Sequence, residues 1–224
     1  THACVSSASA ILYRNCHAGD EELAEMLSPS YERLIPFATP NPTYPAWERD
    51  LRWSHGTLGA RGVRLYPTYH RYTLQDTCCH ELVQAATSLG MLISIPQRVE
   101  DNRERHWLVD APDVDLADVA RLVAVHPEAR FLVTNALGVT GSDLVMRRDD
   151  LPANYWVDIC RPEVVYGKEA LRLIEALGVD RIVFGSSIPF SYPEPATARL
   201  EVLQRLGYDV EKIAGGNAKA LLGM

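Results

Sequence analysis

The densest chemistry in the chain lies between Gln97 and His106, where Gln-Arg-Val-Glu-Asp-Asn-Arg-Glu-Arg-His follows the apolar run Met91 to Ile95. Arg98 and Arg103 carry forked guanidiniums that suit a carboxylate, and Glu100, Asp101 and His106 are proton carriers by type. In isolation the string is a solvated charged loop; its place directly after a strand makes it a candidate pocket wall. Other apolar runs also end in polar residues: Asn41, Tyr69-His70, Asn135, Asp158 with Arg161, and Ser186-Ser187. The candidate set is therefore Glu100, Asp101 and His106 for catalysis, with Asn41, His70, Gln97, Arg98, Arg103, Asn135, Asp158 and Ser187 for substrate binding. Each arginine has a plainer role as a surface ion-pair partner, and Arg64 as a structural one. No metal ligands are assigned. Cys78-Cys79-His80 falls in a helical stretch, where adjacent side chains point about 100° apart and cannot chelate one ion. His2, His17, His55 and His126 have no metal spacing around them.

The elements that must hold these residues alternate along the whole chain. Strands are expected over Ala3 to Ser9, Arg33 to Thr39, Gly62 to Tyr66, Met91 to Ile95, Arg130 to Thr134, Tyr155 to Ile159 and Arg181 to Phe184. Helices are expected over Asp20 to Leu27, Thr73 to Leu89, Asp115 to Val125, Gly167 to Leu177, Pro193 to Leu206 and Val210 to Leu222. Gly59, Gly90 and Gly178 stand where a helix must turn into the next strand. Such alternation specifies α/β class with a parallel sheet. A doubly wound open sheet is the competitor, but no Gly-rich phosphate loop follows any strand. We expect a (β/α)₈ TIM barrel in one domain with seven strands visible. The barrel needs eight and about 250 residues, which places the first strand and helix upstream of Thr1. The C-terminal strand ends, where the polar residues gather, are the barrel's chemical face.

Composition narrows the classes further. The 224 residues include 22 basic and 29 acidic side chains, a formal charge of -7, with 47% hydrophobic and 23% charged residues. That is a globular composition, and an acidic chain offers nucleic acid no general basic face. No run approaches the length of a membrane span. Five scattered cysteines, an odd number with no framework, suit a reducing, cytoplasmic setting. The expected partner is a small molecule, and the aromatic segment Tyr66 to Tyr72, with Trp107, is a candidate exposed contact surface for a homo-oligomer.

Several strings resemble one family in order and spacing: Asn41-Pro42, Gly62 to Pro67, Phe131 to Asn135 with Gly138, Phe184-Gly185-Ser186-Ser187-Ile188-Pro189, and Ile213 to Leu222 with its Gly-Asn-Ala core. They are similar to the amidohydrolase-related family of TIM-barrel metal-dependent hydrolases and decarboxylases. The resemblance implies a divalent metal at the barrel mouth, held by an HxH pair on the first strand, histidines ending the fifth and sixth, and an Asp ending the eighth. This chain has Gln97, Asn135 and Ser187 at the positions that can be compared, so the resemblance implies a degenerate metal site. Zinc would require an upstream HxH pair and atypical ligands such as His70 and His106. Three readings stay open: a hydrolase or decarboxylase for a carboxylate-bearing molecule working through the Gln97 to His106 loop without the usual metal; a non-catalytic ligand-binding barrel or assembly subunit; and a rebuilt metal hydrolase.

Overall fold

Short apolar runs become parallel strands here because helices cover them, so their side chains need no polar alternation. The computed structural model describes residues 2–27, 32–101, 103–161 and 168–224. Their contacts gather into two compact units, Thr1–Ile95 with Glu128–Arg130, and Pro96–Pro127 with Phe131–Met224.

The first unit runs β1 (Ala3–Val5), α1 (Cys16–Leu27), β2 (Leu34–Ala38), α2 (Trp47–Gly56), β3 (Gly62–Arg64), α3 (Pro67–His70), α4 (Thr77–Ser88) and β4 (Leu92–Pro96), the last residue of β4 falling in the second unit. The strands are parallel and neighbour one another in chain order, with Cys4 opposite Ile35, Ala38 opposite Val63 and Val63 opposite Ile93. Phe37, Leu51, Leu58, Val63, Leu82 and Ile93 are buried in its core, each worth about 1.5–3 kcal/mol relative to exposure.

The second unit runs α5 (Leu116–Val125), β5 (Phe131–Thr134), α6 (Asp143–Met146), β6 (Tyr155–Asp158), α7 (Glu169–Leu177), β7 (Ile182–Val183), α8 (Glu194–Arg205) and α9 (Asn217–Leu222). Its strands are again parallel in chain order, Leu132 opposite Trp156 and Asp158 opposite Val183. Asp115 caps α5 by accepting from the Ala117 amide at 2.9 Å, as its side-chain type predicts. Gly59, Gly90 and Gly178 all take positive φ, so the expected helix-to-strand joints are present.

Departures from expectation have local causes. β1 stops at Val5 because Ser7 Oγ accepts from the Ala10 amide, starting a 3-10 turn at Ser9. Helix α1 starts at Cys16 rather than Asp20, which puts Asp20 one turn inside and buries it. Helix α2 was not expected: Trp-Glu-Arg-Asp-Leu-Arg-Trp-Ser-His-Gly buries only Leu51 and Ser54, too few for an apolar stripe. The closing helix starts at Val210 as expected but contains a π-helical turn over Lys212–Gly216 before α9. Tyr66 and Tyr72 are each only 5% exposed, so these two rings are not part of an exposed aromatic surface. Pro67 starts α3, which folds the segment inward; Trp107 is exposed as expected. Arg64 makes no ion pair among the described residues; it donates to Ser6 Oγ and lies over the Phe37 ring. Gly167, at the head of one expected helix, and Asn102 lie outside the described residues. Among those described, no helix is long and apolar enough to cross a membrane.

Candidate active site

In the second unit the strand ends are tied by amides. Gln97, just past β4, donates its backbone N–H to Thr134 O at 2.9 Å, accepts from the Val114 amide at 2.8 Å, and its Oε1 accepts from the Leu137 amide at 2.7 Å. Asn135, at the end of β5, takes a left-handed φ of 49°, a conformation Asn tolerates better than most residues. Its Nδ2 donates to Arg98 O at 2.9 Å and Val99 O at 3.3 Å, and its backbone N–H to Asp158 Oδ1 at 3.1 Å. Asp158, buried at the end of β6, also accepts from the Cys160 amide at 3.3 Å.

Asp158 fits because residue 185 has no side chain. A Cβ there would lie 2.4 Å from Asp158 Oδ2 and 2.9 Å from its Cγ. The buried Cys160 thiol is pushed far up, first by desolvation and then by the Asp158 charge, so it stays protonated and is no nucleophile. Arg199 donates to Ile159 O at 3.3 Å and Cys160 O at 2.8 Å, holding the turn after β6.

Charged residues form two further groups. Arg98 and Arg105 converge on Asp113, at 2.6 and 3.4 Å, and Arg105 also reaches Glu100 at 3.7 Å. Asp101 accepts from the Arg103 backbone at 2.9 Å, from Arg103 Nε and a terminal nitrogen at 3.0 and 2.8 Å, and from Arg161 at 2.6 Å. The Arg103 hydrogen bonds, with Arg161 adding its charge, hold the Asp101 carboxyl well below the usual carboxylate range. Such a group stays ionised and is a poor proton carrier, contrary to the role its type suggested. His106 is exposed, stacks on Trp107 with centroids 5.8 Å apart, and accepts from the Leu108 amide through Nδ1.

The structure thus joins Asn135 to Asp158 and to the Arg98 carbonyl, ties Gln97 to Thr134 and Leu137 on either side of Asn135, and pairs Arg103 with Asp101. His106 and Ser187 make no hydrogen bond or ion pair to either group among the described residues; Ser187 is half-buried with a left-handed φ of 56°. Asn41 and His70 belong to the first unit. Asn41 Oδ1 accepts from the Thr43 backbone and hydroxyl at 3.0 and 2.8 Å, closing its own turn. His70 Nε2 lies 3.2 Å from Ala10 O and 3.5 Å from Cys16 Sγ, and burial lowers its pKa. Missed from sequence were Asp113, which follows Arg98 by fifteen positions, and Asp20 in the first unit, whose carboxyl is pushed up to about 7 by desolvation.

Solved structures similar to this chain share its fold at low identity. A 5-carboxyvanillate decarboxylase from Sphingomonas paucimobilis is 15% identical, with a TM-score of 0.72 over 98% of this chain and 78% of that one. A dihydroxybenzoic acid decarboxylase from Polaromonas, solved with manganese and the inhibitor 2-nitroresorcinol, is 16% identical, TM-score 0.69, over 98% and 78%. A TIM-barrel protein from Bordetella bronchiseptica is 16% identical, TM-score 0.66, over 91% and 72%. These likenesses establish the expected (β/α)₈ TIM-barrel fold. The manganese bound in the second of these structures would meet few suitable ligands among the described residues of this chain. Gln97 Oε1 is committed to a backbone amide, Asn135 Nδ2 to two carbonyls, and the described residues contain no group of three His, Cys, Asp or Glu placed to hold an ion. Neutral amides in such hydrogen bonds do not fit a transition metal. The chain matches no curated protein. The amidohydrolase family model matches residues 3–224, and the chain therefore belongs to the amidohydrolase family.

Proposed function

We propose that this protein is a hydrolase or decarboxylase acting on a small carboxylate-bearing molecule, using the Gln97 to His106 loop and Arg161. The observation that carries this is Asp101, a carboxylate gripped by two guanidiniums of which Arg103 is 74% exposed. The pair is a preformed fork for a carboxylate, and a ligand approaching the exposed side of Arg103 meets the same chemistry. In this reading Arg103 and Arg161 orient the substrate carboxylate, Asp101 positions both arginines, and His106 and Glu100 are the groups that move protons. The named substrates of the similar structures, a carboxyvanillate and a dihydroxybenzoate, are aromatic acids of this class. No step is routed through a metal. With all five cysteines unpaired, the reading includes a reducing, cytoplasmic setting.

The test is calorimetric binding of 2,6-dihydroxybenzoate and 5-carboxyvanillate to the full chain, with carbon dioxide release followed in parallel. Binding weakened about tenfold or more by Arg161→Gln is expected, since a lost charged hydrogen bond costs about 1.5–3 kcal/mol. Binding that is absent for every aromatic acid tried, or indifferent to that substitution, would sink the proposal. The commitment of Gln97 and Asn135 to backbone groups favours a second reading, a barrel that binds such acids without converting them. Tight binding with no product over a long incubation would select it.

A further inference from the structure

Asp20 stands apart from the chemistry above. It lies in α1 of the first unit and is 3% exposed. Both its oxygens accept from the Thr39 amide at 3.2 Å, and Oδ2 also accepts from Ser54 Oγ at 3.1 Å. All these donors are neutral. Among the described residues no Lys or Arg pairs with Asp20, and the Asp50 charge acts on it by repulsion. A carboxylate buried without opposite charge is strongly disfavoured.

Beside it is a cavity of about 10 Å³, the room that one water-sized group needs. Asp20, Thr39, Ser54, His17 and Asp50 line it, and no basic Lys or Arg does. Thr39 is completely buried, yet its Oγ1 has no hydrogen-bond partner among the described residues; His17 Nδ1, buried in the same lining, has none either. The lining therefore includes a buried carboxylate and two residues that each carry an unsatisfied polar atom, around a space for one small group. A neutral water would satisfy the polar atoms and leave the charge uncompensated. Among the described residues no three His, Cys, Asp or Glu side chains are placed to hold one ion together, so the space suits a singly charged group rather than a divalent one.

We infer that this cavity binds a monovalent cation of ammonium or potassium size, held by the Asp20 carboxylate and Thr39 Oγ1. The site is independent of the carboxylate-binding proposal, and its test reads no turnover. Thermal unfolding of the full chain would be compared in ammonium, potassium and choline chloride at equal ionic strength near about pH 8, where Asp20 is largely ionised. A saturable rise in Tm with ammonium, potassium or both, absent with choline, is expected, and the two arms say which ion is held. Thr39→Val removes Oγ1 while keeping the shape and should weaken the response about tenfold, the worth of one net hydrogen bond. Asp20→Asn should abolish it; if that variant folds poorly, Thr39→Val carries the test. At about pH 6 the wild-type response should fall about tenfold, because the proton competes for a carboxyl whose pKa is about 7. The other ionisable groups facing the cavity are Cys16, His17, Tyr44 and Asp50; the Cys16 thiol, pushed up to about 12 by burial, stays neutral throughout. Identical melting in all three salts, as for a site filled by water alone, would overturn the inference. So would a cation response that Thr39→Val leaves unchanged.

Discussion

Asp101 of the second unit and Asp20 of the first are both shielded from solvent, at 6% and 3% exposure, yet their surroundings drive them in opposite directions. Asp101 meets two guanidiniums and is held ionised far into acid, while Asp20 meets only neutral donors and a neighbouring carboxylate and clings to its proton. Desolvation raises the Asp20 carboxyl, while the hydrogen bonds and charge of its arginine partners lower that of Asp101, so similar exposure leaves the two groups in opposite states. The second unit neutralises its acids with its own arginines, as at Asp113 with Arg98 and Arg105. At Asp20 the first leaves that task to a proton or to a cation from solution, although it pairs Asp50 with Arg49 and Glu48 with Arg52.

The largest expected effect separates the two carboxylates by pH. Asp20 has a folded pKa of about 7 against about 4 unfolded. Its stabilising contribution is thus fully present below about pH 4 and lost as pH rises to about 7, on the order of 4 kcal/mol in all. In choline buffers, urea unfolding of Asp20→Asn should show this fall flattened relative to wild type; equal slopes for the two proteins would break the comparison. Asp101 has the opposite sign, its contribution present above about pH 4 and lost only in stronger acid. Asp101→Asn should reduce the acid-side loss while leaving the neutral slope alone.

Next in size is Gly185→Ala, whose methyl would meet Asp158 Oδ2. A destabilisation of about 1–3 kcal/mol is expected from such overpacking, read as a lower urea midpoint. A smaller effect tests the Asp101 fork itself: a double-mutant cycle of Asp101→Asn with Arg161→Gln should give a coupling of about 1 kcal/mol, and additivity would show that the pair contributes nothing. Smallest is Arg52→Gln, which breaks an ion pair with Glu48 whose side chains are 69% and 58% exposed. A change within about 0.5 kcal/mol is expected; a larger one would mean that exposed pairs in the first unit do more than screening allows.

Strand positions were legible because buried parallel strands such as Leu-Ile-Pro-Phe-Ala are apolar without interruption, and because glycines mark the joints. Helix α2 was not, since its ten residues bury too little to leave a periodic signal. The charged loop was visible as a string, but its pairings were not: Asp113 meets Arg98 only once the intervening loop closes, and Arg161 reaches Asp101 from sixty positions away. The helix was expected to start at Asp20, which would leave that acid at its exposed first turn. The helix begins four residues earlier, which rotates that carboxyl into the interior, and such a shift in start leaves no mark in residue types.

The contact between Asp158 and the bare backbone at Gly185 also fixes an order of change. A lineage of this chain could acquire a side chain at 185 only after the carboxylate at 158 had been lost or shortened, because the reverse order passes through a crowded intermediate. The two positions should therefore be exchanged as a pair, acid with glycine or neither, in any library built on this fold.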